Sequence, residues 1–218
     1  MNSIEQARNN MQCQQLKTCG IQDESLLDLL SQIPREHFVP EKYKDLAFAD
    51  YRIPLSHQQT MMTPLEEATL LQALAIQKHH TVLEIGTGSG YLTALMATQA
   101  KQVFSLEYYA DLTAKAQKKL AQHHITNVTL ITGDGIHGYL DKAPYDIIVL
   151  TGSVDHLDKC FHPQLLQNGK LFAIIGKSPV MQACVLTIDN QGKWNTTKLF
   201  ETNIPPLTDR FQNDSFSF

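Results

Sequence analysis

Residues Val82 to Ala97 read VLEIGTGSGYLTALMA: an apolar, β-branched run enters three alternate glycines, Gly86, Gly88 and Gly90, and leaves into a helix-forming stretch. Strand, glycine loop, helix is a ligand-binding turn. The glycines let the chain reverse tightly and let a ligand lie against bare backbone, where the first N–H groups of the helix lack intrahelical partners. Spacing then separates two ligand classes. In the dinucleotide fingerprint G-x-G-x-x-G the third glycine, counted from Gly86, would fall on the bulky Tyr91. The pattern here is Glu84-x-Gly86-x-Gly88-x-Gly90, with Thr87 and Ser89 between the glycines. A carboxylate in that position repels a pyrophosphate and suits a ligand carrying an ammonium or a sulfonium, so a nicotinamide dehydrogenase is disfavoured.

Outward from this turn the chain alternates strands and helices. Thr81 to Ile85, Gln102 to Leu106, Val128 to Thr132, Tyr145 to Leu150 and Lys170 to Ile175 read as strands; Tyr91 to Ala100 and Leu112 to Gln122 read as helices. Repeated β-α-β order with continuous apolar strands predicts a parallel sheet covered on both faces. Ala183 to Ile188 and Trp194 to Phe200, joined by DNQGK, predict a terminal hairpin and thus an antiparallel edge. The expected fold is an α/β, Rossmann-like, mostly parallel seven-stranded sheet with an N-terminal helical extension.

Two further acids stand where a ligand on the glycine loop would need them. Glu107 ends the second strand about 20 residues past the loop, where a carboxylate can accept hydrogen bonds from ribose hydroxyls. Asp134-Gly135 follows the third. The ends of successive strands form the usual ligand crevice of an open α/β sheet.

Before the core, residues 1–50 read as short helices punctuated by Pro34 and Pro40, and Tyr51 to Pro64 (YRIPLSHQQTMMTP) as a polar loop. Leu65 to Ile76 then reads as an amphipathic helix with Glu66-Glu67 favourably placed at its start. The 218 residues allow one domain: a preface and substrate-side loop over 1–64 and an α/β core over 65–218. With 18 Lys+Arg against 22 Asp+Glu, a formal net charge of −4 and no basic block, nucleic acid is not an expected partner. Apolar runs are far below the ~18–20 residues that span a bilayer, and the N-terminus lacks a secretory pattern. A cytoplasmic protein without a membrane partner is expected. Cys13, Cys19, Cys160 and Cys184 form no C-x-x-C pair, and adjacent histidines such as His123-His124 point apart, so neither a metal site nor disulfides are expected and packed, reduced thiols are.

Consecutive words narrow the reading. IPREHFVP (Ile33 to Pro40), LAFAD (Leu46 to Asp50), VLEIGTGSGYLTA (Val82 to Ala94), GDGIHGY (Gly133 to Tyr139), APYDIIVLT (Ala143 to Thr151) and the terminal IPPL resemble the protein-L-isoaspartate O-methyltransferase family of class I S-adenosylmethionine-dependent methyltransferases. The resemblance runs from about Gly20 to Leu207. It implies S-adenosylmethionine as methyl donor and S-adenosylhomocysteine as product, held by Glu84, Gly86, Thr87, Gly88, Ser89, Gly90, Glu107, Asp134 and Gly135, with Asp134 at the adenine amino group. It implies esterification of the α-carboxylate of isoaspartyl residues in damaged proteins or peptides, a repair step.

On the substrate side the chain departs from the family's G-Q-T-I-S-x-P loop. Ser56 to Pro64 read SHQQTMMTP, so the family's catalytic serine aligns with Met62, whose thioether cannot donate a hydrogen bond. Gln59, Thr60 and Pro64 keep the frame, and Thr63 offers a hydroxyl one position late. The second loop, Thr151-Gly152-Ser153-Val154-Asp155, stands for the family's T-A-A element. Thr60, Met62 and Thr63 are thus the catalytic candidates, and His57, Gln59, Thr151 and Ser153 the substrate-binding ones. Two readings stay open: positioning sustains isoaspartyl methylation, or the crevice serves another acceptor or none. The tail FQNDSFSF reads as disordered or docked on the domain itself. Oligomeric state is not legible.

Overall fold

The structure, a computed structural model, describes residues 3–189 and 191–207; the FQNDSFSF tail lies outside them. Strands β1 (Thr81–Ile85), β2 (Gln102–Glu107), β3 (Val128–Thr132), β4 (Tyr145–Val154), β5 (Leu165–Lys177), β6 (Val180–Ile188) and β7 (Trp194–Thr202) form one sheet in the order β3-β2-β1-β4-β5-β6-β7. The first five pair in parallel, and β6 pairs antiparallel with both β5 and β7, as the hairpin signal predicts. Strand order reverses between β1 and β4. Their C-terminal ends therefore border the crevice in which open α/β sheets hold ligands.

Period-2 alternation splits the sheet's apolar residues between two layers. Val82, Val103, Ile147, Val149 and Phe172 face one side, with helix α4 (Tyr91–Gln99) and the preface, which opens with helix α1 (Ser3–Asn10); Leu83, Ile85, Leu106, Ile148 and Leu171 face the other. On the first side α4 is buried almost all round, because helices α2 (Glu24–Gln32) and α3 (Pro64–Leu74) pack over it and over the sheet. Beside α4 lies α5 (Ala110–Gln122), against β2 and β3. The second side is covered mainly by loops. Tyr139, Leu157 and Phe161 pack there, and the helical pieces between β3 and β5 are the short turns Leu140–Lys142 and Lys159–Gln164.

Several details differ from the sequence reading. Helix α3 starts at Pro64 and ends at Leu74, two residues before the expected end, because Ala75 turns left-handed at φ 50°. Its Glu66 and Glu67, placed at the helix start as expected, are buried and paired with Arg52 and Arg35. Strand β4 outruns its apolar core, since Ser153 and Val154 rejoin the ladder opposite Ile174 and Ile175 after a register irregularity beyond Val149. Such an irregularity re-aims side chains, and it falls at Thr151-Gly152. Of the cysteines, all unbridged, Cys184 is buried as expected, but Cys13 and Cys19 are exposed on the preface. His123 stacks on Phe38 and His37 instead of standing free in a loop.

Candidate functional site

Beyond the C-terminal ends of β1, β2, β3 and β4 lies a concave site that opens to solvent, the usual ligand position in an open α/β sheet. Glu84, Gly86, Thr87, Gly88, Ser89, Glu107, Asp134 and Gly135 all line it, so eight of the nine residues expected to hold the cofactor meet in one place. Gly90 is the exception. It caps α4 at φ 83°, and a Cβ there would sit 3.0 Å from that of Ala116, so it serves the packing of α4 on α5. At Gly86, φ is 97° and a side chain would collide with Thr151, so only glycine fits.

The three acids differ in environment. The Glu107 carboxylate accepts hydrogen bonds from Gly88 N at 2.8 Å and Tyr109 N at 3.0 Å, tying the glycine loop to the end of β2. Asp134 accepts from Ile136 N at 2.9 Å, which fixes the turn after β3. Glu84 is fully buried. Its Oε2 accepts from Thr93 and Ser105 hydroxyls at 2.6 and 2.5 Å, while Oε1 is buried without a partner. Burial, opposed by those two hydrogen bonds, pushes its carboxyl up to about 8. A buried carboxyl oxygen with no donor costs stability, and at a cavity wall it fits a ligand that brings positive charge.

A pH test follows for Glu84. In the unfolded chain it titrates near 4.5 and in the folded one near 8, so in that window unfolding releases a proton and stability falls as pH rises, by at most about 1.4 kcal/mol per pH unit. Glu84→Gln removes this slope. Urea unfolding of the ligand-free variant should show a stability gain over the parent that grows from about pH 5 to about pH 8; a constant offset would mean that Glu84 does not titrate there.

The opposite wall is the loop between residues 55 and 62. Gln59, Thr60 and Met62 line the cavity as expected, Met61 and Leu55 with them. Both methionines are also 5–6% exposed core residues, so lining and filling are one role here. From beneath, buried Arg35 holds the loop: its guanidinium donates to Met62 O at 2.8 Å and to Ala47 O at 2.8 Å, pairs with Glu67, and lies over the Tyr91 ring at 4.9 Å.

Four substrate-side candidates are engaged by partners within the chain. Thr63 does not line the cavity; its hydroxyl accepts from Glu66 N and Glu66 returns a bond to Thr63 N, a capping box that starts α3. His57 stacks flat on Tyr109 at 3.9 Å and bonds Asp111 at 2.7 Å, which makes it a strut between loop and α5. Ser153 donates to Ile204 O and anchors the last segment through Pro205 and Leu207. Thr151 does line the cavity, but its single hydroxyl hydrogen is aimed at Ile85 O and Gly86 O, leaving none for a substrate carboxylate. Asp155, an awkward charge for an anionic substrate, turns away to Lys177 at 3.3 Å.

The sequence reading missed Tyr108, Tyr109 and Ile136, which line the cavity beside Glu107 and Asp134, and Glu67. The aromatics directly after Glu107 were the available signal. Ile204, Pro205 and Leu207 of the IPPL word close the cavity, although they are distant in sequence.

Comparisons agree with this geometry. Residues 6–212 match the family model described as protein-L-isoaspartate(D-aspartate) O-methyltransferase. The chain is 38% identical to the protein-L-isoaspartate O-methyltransferase of Koribacter versatilis (strain Ellin345) over 88% of this chain and 86% of that one. To that of Methanoculleus marisnigri it is 36% identical, over 90% and 89%. A Plasmodium falciparum crystal structure, assigned as a protein-L-isoaspartate O-methyltransferase and bound to S-adenosyl-L-homocysteine, superposes with a TM-score of 0.80 over 96% of this chain and 100% of that one. At 22% identity that likeness concerns the fold. The glycine loop, the acids at successive strand ends and the match along nearly the whole chain lead to one conclusion: the chain belongs to the protein-L-isoaspartate(D-aspartate) O-methyltransferase family.

Proposed function

We propose that this protein uses S-adenosylmethionine to methylate the α-carboxylate of L-isoaspartyl residues in proteins and peptides, as a single methyltransferase domain in which residues 1–64 form the substrate side and 65–218 the cofactor core. The observation that carries the reading is the confrontation of two walls across one cavity. Glu84, Gly86 to Ser89, Glu107, Asp134 and Gly135 stand on one side, Gln59, Thr60 and Met62 on the other. Bound on the first wall, S-adenosylmethionine supplies an electrophilic methyl on a sulfonium. Glu107 offers that wall its negative charge, Glu84 adds a buried carboxyl oxygen without a donor that a cationic ligand can satisfy, and the bare backbone of Gly86 and Gly88 allows close approach.

The acceptor needs little activation, because a carboxylate of pKa near ~4 is already ionised at neutral pH. The chain's task is to hold it in line at an attack distance of roughly 3–3.5 Å and to shield it from water. Among the described residues the Thr60 hydroxyl and the Gln59 amide make no side-chain hydrogen bond, and both face the cavity, so they are the donors assigned to the substrate carboxylate. Met62 shapes the apolar side. Arg35 acts as a positioning residue through Met62 O. No described helix is long and apolar enough to cross a membrane, and four unbridged cysteines suit a reducing, cytoplasmic setting.

Transfer of labelled methyl to an isoaspartyl peptide, with its normal aspartyl counterpart as control, tests the reading. Labelling of the isoaspartyl peptide alone is expected; no labelling above a Gly88→Arg variant would favour another acceptor. The Met62 position has its own test. A hydroxyl there adds a charge-assisted donor, so Met62→Ser should raise isoaspartyl methylation about tenfold, the equivalent of about 1.4 kcal/mol. An unchanged rate would show that Thr60 and Gln59 already satisfy the carboxylate.

A further inference from the structure

Outside the cavity, on the loop-covered face of the sheet, three side chains of metal-ligating type converge: His137 from the segment after β3, and Asp158 and Cys160 from the segment after β4. One ligand atom of each lies within 4.8 Å of both others. The geometry points to a site for a single zinc-class divalent cation, bound by His137 Nδ1, Asp158 Oδ2 and Cys160 Sγ with a fourth position open to water.

His137 Nδ1 is 3.3 Å from Asp158 Oδ2, and a tetrahedral ion with bonds of about 2.1 Å places two such ligands about 3.4 Å apart. No large movement is needed to close that edge. The second carboxylate oxygen is already fixed: Asp158 Oδ1 accepts from Cys160 N at 2.9 Å at the start of the Lys159–Gln164 turn, so Oδ2 is left pointing outward.

The ligand residues are held in place before any ion binds. Gln164, fully buried, donates from one amide nitrogen to His137 O at 2.8 Å and to Cys160 O at 2.8 Å, and accepts from Tyr139 N at 2.8 Å. One side chain thus locks the backbones of two ligand residues that lie on separate loops. Gly138 leaves room for it, because a side chain there would overlap Gln164. A site held by its supporting shell in this way binds without reordering its loops.

Ligand chemistry selects the ion. Imidazole and thiol disfavour magnesium and calcium, which take oxygen, and a nitrogen, oxygen and sulfur set suits zinc and its analogue cobalt. Three protein ligands rather than four, partly exposed, describe an exchangeable site. Both loops continue from cavity walls, His137 from Asp134 to Ile136 and Asp158 from Thr151-Gly152. The ion would therefore clip together the two loops that flank the methyl-transfer site.

Cobalt titration of the full chain, reduced and stripped of metal, tests this directly. One equivalent of cobalt is expected to produce a near-ultraviolet sulfur-to-cobalt charge-transfer band, which added zinc abolishes. Cys160→Ser should lose the band, and His137→Ala, an exposed change with little call on folding, should weaken cobalt binding at least tenfold. A Cys13→Ser, Cys19→Ser double variant should keep both. The proposal is overturned by the absence of a band in the folded parent, by its persistence in Cys160→Ser, or by unchanged affinity in His137→Ala.

Discussion

Glu107→Ala is expected to weaken binding of S-adenosylhomocysteine about 100-fold or more while leaving the protein folded. The carboxylate lies at the cavity wall, 5% exposed, and has lone pairs beyond the two taken by Gly88 N and Tyr109 N. Its loss removes acceptors for the ligand and also frees the glycine loop from β2. Hydrogen bonds to a charged group contribute about 1.5–3 kcal/mol each, and about 1.4 kcal/mol is one decade of affinity, so two lost bonds set the estimate. Glu107→Gln should fall between parent and alanine, because an amide can accept from one of the two backbone N–H groups but presents a donor to the other. Calorimetry on the three proteins, with circular dichroism to check the fold, decides it. Binding by the alanine variant within threefold of the parent would remove Glu107 from the cofactor site.

The largest stability effect is expected at Arg35. Arg35→Met removes the partner of the buried Glu67 carboxylate and strands the carbonyls of Met62 and Ala47. Breaking a buried ion pair from one side costs roughly 3–5 kcal/mol. Burial already raises the Glu67 carboxyl to about 8 and Arg35 opposes it; without Arg35 the folded-state value climbs further above its unfolded value. The added loss sets in as pH rises through the parent's value near 8, so the deficit in urea unfolding should be greater at pH near ~9.5 than near ~5. The double variant Arg35→Met, Glu67→Leu should recover much of the loss, because it leaves no unpaired charge. It should not recover methyl transfer, since the loop carrying Met62 has lost its anchor. A single-variant deficit below about 1 kcal/mol would show that the pair contributes little.

The sheet, and the meeting of the glycine loop with the acids at one cavity wall, are legible in the sequence alone. Both rest on local rules: alternation and glycine spacing act within a few residues, and the acids at Glu84, Glu107 and Asp134 sit at fixed offsets from the strands that carry them. Strand order then follows from connection rules that hold for any β-α-β chain. The substrate side obeys no such rule. Thr63, His57 and Ser153 look alike in sequence as polar loop residues, and only their neighbours in space made one a helix cap, one a strut on Tyr109 and one a clamp on the last segment.

Arg35 and Glu67 show the same limit from the other side. The words IPREHFVP and PLEEA mark a family and a helix start, but a charge 1% exposed is tolerable only where another chain segment brings its counter-charge. That pairing spans residues that are distant in sequence and appears in no local pattern. The cysteines are a third case. Spacing along the chain relates only residues close in sequence; the strands β3 and β4 lie apart in the sheet, yet the loops that follow them meet, and Gln164 fixes His137 beside Asp158 and Cys160. Periodicity and turn chemistry are properties of neighbouring residues and are written in order along the chain. Which polar group finds which partner depends on distances that exist only once the layers have packed.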